Sequence, residues 1–202
     1  MIGVIGKSMI YLAMFSGIAA SVLFFRNSDL TTDLTPGKKA ARWMWLLMGA
    51  SAVAAFGLLM YLNATSQFQY DYVRKYTSLD LETRYLISAT WAGQEGSFLL
   101  WIVLNSFVGI AISRLAGAWE APVLSIMAVC QVFLISMIIG LDLGAFTLGS
   151  NPFWTLIEKF PDNPVIQRGG IPTDGDGLND LLQNYWMVIH PPMLFTGSRA
   201  NR

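Results

Sequence analysis

The chain has 202 residues, of which 54% are hydrophobic and 13% charged, and its mean hydropathy is positive. Soluble domains carry about 25% charged residues, so this composition excludes an ordinary water-soluble enzyme and a disordered chain, and it points to a lipid bilayer as the partner. The 13 Lys and Arg are balanced by 13 Asp and Glu, which leaves no net positive field for phosphates and excludes nucleic acid.

A spanning helix needs about 20 mostly apolar residues, and four segments qualify in chain order. The first is expected over residues 8–25, between Lys7 and Arg26. Its single Lys7 and the lack of a small-x-small cleavage site mark it as a retained anchor, not a secretory leader. The second is expected over 43–62, after the cluster Lys38, Lys39 and Arg42. The third is harder to place, because the apolar run from Phe98 to Ile112 is too short on its own. Begun near Tyr85 it spans 85–112 and carries Glu95 to a membrane face, where a carboxylate keeps contact with water or a partner. The fourth, 122–141, opens on Pro122, whose missing N–H does no harm there. The reading is therefore an all-α, polytopic helical membrane protein with about four transmembrane helices in residues 1–141. A long extracytoplasmic loop region follows over 142–202. Arg26, Lys38, Lys39 and Arg42 make the first connection the positive, cytoplasmic one, which turns the amino terminus and the long loop outward. Arg74, Lys75 and Arg84 fall on that outer side and count against this orientation.

From Asp142 to Ile189 the composition changes, with Pro152, Pro161, Pro164 and Pro172 and the pairs Gly169–Gly170 and Gly175, Gly177. A long connection of this kind is functional or disordered; its aromatics Phe153, Trp154, Phe160, Tyr185 and Trp186 favour an ordered cover against the membrane surface.

Candidate chemistry is sparse. His190 is the one histidine. It stands before Pro191 and Pro192, which disfavour helical geometry at His190 and predict a rigid, extended presentation of the ring. Such an imidazole either ligates a metal or hydrogen-bonds a carbonyl at the interface; one histidine cannot supply both axial ligands of a haem. Trp91, Glu95, Ser97 and Trp101 form a second constellation, with interface anchoring and helix capping as the structural alternative. Asp174, Asp176 and Asp180 miss the calcium-loop spacing, which would need Pro172 as first ligand. Cys130, mid-span, reads as inert packing. There is no disulfide partner for it and no C-x-x-C-H for covalent haem. Asn63-Ala64-Thr65 is formally a glycosylation acceptor.

These segments together resemble the amino-terminal part of the CcmF/NrfE family, the membrane subunit of the cytochrome c haem lyase. Trp91 to Trp101 is similar to that family's W-x-x-x-E-G-S-x-L-L-W segment, and Asn151-Pro152-Phe153 to its N-P-F element. Asp176-Gly177-Leu178-Asn179 through Leu181-Leu182-Gln183-Asn184-Tyr185-Trp186 resembles its D-G-x-G-L-N-P-L-L-Q stretch, with Asp180 where proline is common. Val188-Ile189-His190-Pro191-Pro192-Met193-Leu194 resembles its outer histidine motif. The resemblance implies that His190 is an axial ligand to iron, with Trp91, Glu95, Trp101 and Trp186 as supporting residues. It implies haem b as transient cargo, presented at the outer face of the bacterial inner membrane for attachment to an apocytochrome c. A haem carrier protein is the implied donor. The family's W-x-W-D segment and further histidines have no counterpart here, so a complementary haem-lyase polypeptide is the implied partner, and the polar ending Ser198 to Arg202 reads as a split or truncated product, inactive alone. The competing readings are a structural membrane subunit or transporter fragment without haem, and a non-functional product.

Overall fold

The structure is a computed structural model and describes residues 1–142, 144 and 147–195; the expected ending from Thr196 onward lies outside the described residues. It is helical, and among the described residues four segments are long and apolar enough to cross a bilayer: Ile2–Arg26, Pro36–Ala64, Gln94–Leu115 and Gly117–Ser136.

Helix α1, Ile2–Arg26, begins well before residue 8, so Lys7 lies within it. Lys7 is tolerated because its ammonium reaches Glu158 at 2.5 Å. Helix α2, Pro36–Ala64, also starts earlier than 43. Pro36 sits in its first turn and the Thr35 side chain accepts a bond from the Lys38 amide, the usual use of proline and threonine at a helix start. Lys38 is itself buried and donates to the carbonyl of Thr31 at 2.7 Å.

Short helices α3, Asp71–Tyr76, and α4, Thr83–Ala89, follow. The expected continuous span 85–112 is broken: α4 ends, residues Thr90 to Gly93 turn, and α5 runs Gln94–Leu115. The glycines at 93 and 96 explain the break, as shown below. After a 3-10 turn, α6 runs Glu120–Ser136 and stops short of residue 141, where Gly140 takes φ +62°. The region beyond is more structured than a loop. It holds a small antiparallel hairpin of β1, Leu141–Asp142, with β2, Thr147–Leu148, then α7, Leu156–Lys159, α8, Pro164–Gln167, and α9, Tyr185–Phe195.

The four long helices pack as a ring in the order α1, α2, α5, α6, with α6 closing on α1. Arg42 ties one end together: it pairs with Glu120 and donates to the Ser113 carbonyl at 3.0 Å. The core is Ile10, Met48, Leu59, Leu99, Ile102, Leu124 and Ile135, each almost fully buried. Phe15, Trp43, Ile126 and Phe133 point outward, as expected of a bundle whose solvent is lipid. Cys130, expected to pack inside a span, is exposed on the outer surface of α6.

Polar contacts hold the ring together at depth, as small and polar residues do in membranes. Gln131 on α6 donates to the Ile102 carbonyl at 2.9 Å and lies 3.2 Å from Ser106 Oγ on α5, while Trp45 on α2 donates its indole N–H to the Ser106 carbonyl at 3.1 Å. The Trp45 ring needs the surface of Gly109: a Cβ there would sit 2.0 Å from it. Gly109→Ala is expected to lower stability in a detergent unfolding titration by about 1–3 kcal/mol, the usual cost of overpacking. Gly57→Ala, inside α2 where nothing lies within 4 Å, is expected not to lower it, since alanine is the better helix former.

Candidate functional site

The end of the bundle opposite Arg42 is built by aromatic rings seated on glycines. Gly3 and Gly6 in the first turns of α1 leave room for the rings of Tyr70 and Phe153, which a Cβ would meet at 2.6 and 2.5 Å. Tyr70 Oη accepts the Gly3 amide at 2.9 Å, and Phe153 is fully buried. Asn151 shapes that turn, donating to the Ile139 carbonyl at 2.9 Å and accepting from the Phe153 amide at 3.0 Å. The Asn151-Pro152-Phe153 element is thus a clamp that plants the long loop on α1.

The same loop is stitched to residues 69–79. Leu156 donates to the Gln69 carbonyl and Asp71 to that of Trp154. Lys159 pairs with the buried Asp71 at 2.6 Å, and Arg74 holds Asp176 with both carboxylate oxygens within 3.0 Å. Asp174 accepts from the Leu79 amide at 2.9 Å. These acids are bound up in loop folding; among the described residues no group of three or more His, Cys, Asp or Glu could hold a metal ion.

Between α4 and α5 lies Tyr72. Its hydroxyl donates to the Thr90 carbonyl at 2.9 Å, with that of Ala89 at 3.1 Å, and accepts from the Gly93 amide at 3.2 Å. Burial pushes this phenol well above its usual pKa; the Gly93 bond opposes that and the Glu95 charge adds to it, so its proton stays available to the carbonyls. Tyr76, packed on Tyr72 at 4.8 Å, is raised by burial and then by Glu95 and Asp71. A Cβ on Gly96 would lie 1.8 Å from the Thr90 oxygen, and one on Gly93 would lie 2.5 Å from Tyr76. Ser97 donates to the Trp91 carbonyl at 2.7 Å.

The residues singled out in the sequence fall into two groups. Trp91 is buried in the break and stacked on Phe56, and its buried Nε1–H meets no acceptor among the described residues. Glu95, in the first turn of α5, accepts from Ser150 Oγ at 2.7 Å; a carboxylate there also suits the helix dipole. Trp101 packs against the core from α5. His190 and Trp186 are exposed on α9. Helix α9 rests on α5 and α4, and Tyr85 on α4 donates to the Gln183 carbonyl just before it at 3.0 Å. His190 is helical, contrary to the extended geometry expected before proline. The pre-proline preference is a bias that a packed helix overrides. Asn63 is fully buried and donates to Thr90 at 3.2 Å, so the glycosylation reading fails.

Tyr72, Gln131 and the Arg74–Asp176 pair escaped the sequence reading. A visible signal existed for one of them, since Gln131 interrupts an apolar span. Tyr72 looks like any loop tyrosine until the fold brings residues 89–96 around it.

A polytopic helical membrane protein with an ordered cap over one end of its ring is the class that this fold defines. No family model matches the chain. It is 37% identical over 161 residues to the cytochrome c-type biogenesis protein CcmF of Haemophilus influenzae, covering 78% of this chain and 22% of that protein. It is 33% identical over 162 residues to CcmF of Pseudomonas fluorescens, covering 78% and 21%. A solved structure described as cytochrome c heme lyase CcmF matches with a TM-score of 0.67 over 96% of this chain and 28% of that one, at 20% identity, a likeness of fold. The chain is similar to the CcmF/NrfE cytochrome c-type biogenesis proteins and corresponds to their amino-terminal part. It spans about a fifth of the length of the CcmF relatives it matches.

Two outcomes test this end of the molecule. Gly96→Ala is expected to destabilise the chain by about 3 kcal/mol or more, at or beyond the upper end of ordinary overpacking. Adding Tyr72→Phe should not rescue it, because the clash is with a backbone oxygen; recovery in a detergent unfolding titration would contradict this packing. Glu158 supplies a pH test. Burial pushes its carboxyl up, but the bonds from Lys7 and from the amide and hydroxyl of Thr155 outweigh that and hold it below the usual carboxylate range. Its contribution is present above the unfolded-state value near 4.3 and is lost as pH falls through the lowered folded value. Protease protection of residues 156–168 is expected to decline there, and Glu158→Gln should remove that part of the pH dependence.

Proposed function

We propose that this chain is the amino-terminal, haem-handling part of a cytochrome c haem lyase, with His190 as an axial ligand to the iron of haem b. The observation that carries the reading is an exposed imidazole held on α9, against α5 and α4, in a chain whose relatives are named for cytochrome c biogenesis. The exposure of the ring suits cargo that must arrive from a carrier protein and leave on an apocytochrome.

In this reading each thiol S–H of an apocytochrome C-x-x-C-H adds across a haem vinyl C=C and forms a thioether. The chemistry is carried by the two substrates, and this chain contributes position. His190 sets which face of the ring is held. Trp91, Glu95 and Trp101 support it indirectly: they fix the α4–α5 break and the start of α5 on which α9 rests. A single histidine supplies one ligand, so a complementary polypeptide with the remaining histidines and the tryptophan-rich segment is the proposed partner for the second. The proposed setting is the bacterial inner membrane, with the amino terminus and His190 outside and Arg42 and Glu120 at the cytoplasmic end.

A haem-absorbance titration of the detergent-purified chain, with and without the complementary polypeptide, tests the assignment. Wild type with its partner is expected to show a bound-haem band that His190→Ala loses, while both insert equally into membranes. An unchanged band in the variant would remove His190 from the site, and no binding in any combination would favour a structural subunit.

A further inference from the structure

On α9 the half-buried Val188 and Ile189 accompany its packing against the bundle, while Trp186, His190 and Met193 are exposed, Trp186 at 73% and Met193 at 51%. At about 100° per residue, positions 186, 190 and 193 fall within an arc of about 60° on one face. The helix therefore presents an indole, an imidazole and a thioether in line, with the imidazole in the middle. Trp186 is turned edge-on to Tyr185, with centroids 5.9 Å apart, which steadies the indole at the start of the stripe.

An axial imidazole stands nearly perpendicular to the macrocycle it ligates, so a ring bound by a side chain projecting from a helix lies along the helix surface. A porphyrin is wider than one helical turn of about 5.4 Å. It must overhang the residues one turn before and one turn after its ligand. We propose that Trp186 and Met193 are positioning residues that bracket the porphyrin face on the His190 side, the indole stacking under one edge and the thioether under the other. The inference rests on the reading of His190 as an iron ligand. Both side chains have the chemistry for such contacts, since a flat aromatic surface stacks on an extended π-system and a thioether is polarisable and conforms to ring edges.

Zinc protoporphyrin is the appropriate probe, because zinc in this ring takes a single axial ligand and the full chain alone can supply it. Two readouts separate the two claims: the shift of the absorbance band on axial imidazole ligation, and the rate at which porphyrin is lost to an excess of apomyoglobin. Wild type should show the shift and slow loss, and His190→Ala should lose the shift. Trp186→Ala should keep the shift and release porphyrin about tenfold faster or more, with Trp186→Phe restoring most of the retention. Met193→Ala should release it several-fold faster and Met193→Leu should not. Trp119→Ala, an exposed tryptophan in the turn before α6, should change neither and reports non-specific partition into the detergent. A shift lost in His190→Ala together with wild-type release from Trp186→Ala and Met193→Ala would overturn the bracketing and leave the ligand standing. A shift that survives His190→Ala would overturn both.

Discussion

One buried hydroxyl decides the geometry of the capped end. Where α4 stops and α5 starts, the last carbonyls of one helix and the first amides of the next lose their helical partners, and because Ala89, Thr90 and Gly93 are buried, water does not replace them. The Tyr72 hydroxyl serves both sets at once, donating to the carbonyl side and accepting from the Gly93 amide. Burial keeps it protonated, so this dual role is not lost at any ordinary pH. Gly93 and Gly96 let the phenol approach, because a Cβ on either would occupy the space taken by Tyr72, Tyr76 or the Thr90 oxygen. The segment from Trp91 to Trp101 is thus first of all a solution to a backbone problem.

The placement of α9 follows from that break. Helix α4 turns aside instead of continuing into α5, and the two together offer the seat on which α9 lies. The long loop before α9 is held by the seat of Phe153 on Gly6 and by a charge network in which Lys159 pairs with Asp71 and Asp176 with Arg74. Exposed ion pairs contribute little each, but Asp71 is buried, and breaking a buried pair leaves a charge uncompensated. The outcome is a histidine at the surface, on a helix whose supporting elements are themselves held in place. Glu95 belongs to this support, since its carboxylate is engaged with Ser150.

Much of the fold was legible from composition. Four apolar stretches gave four long helices, because a bilayer demands length and hydrophobicity before anything else. Their ends were less legible. Lys7 lies inside α1 because Glu158, distant in the chain, neutralises it. Residues 85–93 failed to join α5 because the competing partner for their backbone is a tyrosine on another helix. His190 is helical despite the two prolines after it, a local bias overridden by the packing of α9.

The amino-acid sequence by itself determined the membrane class, the number of long helices and the presence of a lone histidine beside a tryptophan, since these follow from residue type and from local spacing. Only the tertiary structure decided that Trp186, His190 and Met193 share an exposed stripe, that Trp91 and Glu95 are taken up in packing and hydrogen bonding, and that Asn63 is sealed from modification. The reason is physical. Exposure and hydrogen-bond partnership belong to pairs of residues brought together from distant parts of the chain, and neither composition nor period records which pairs will meet.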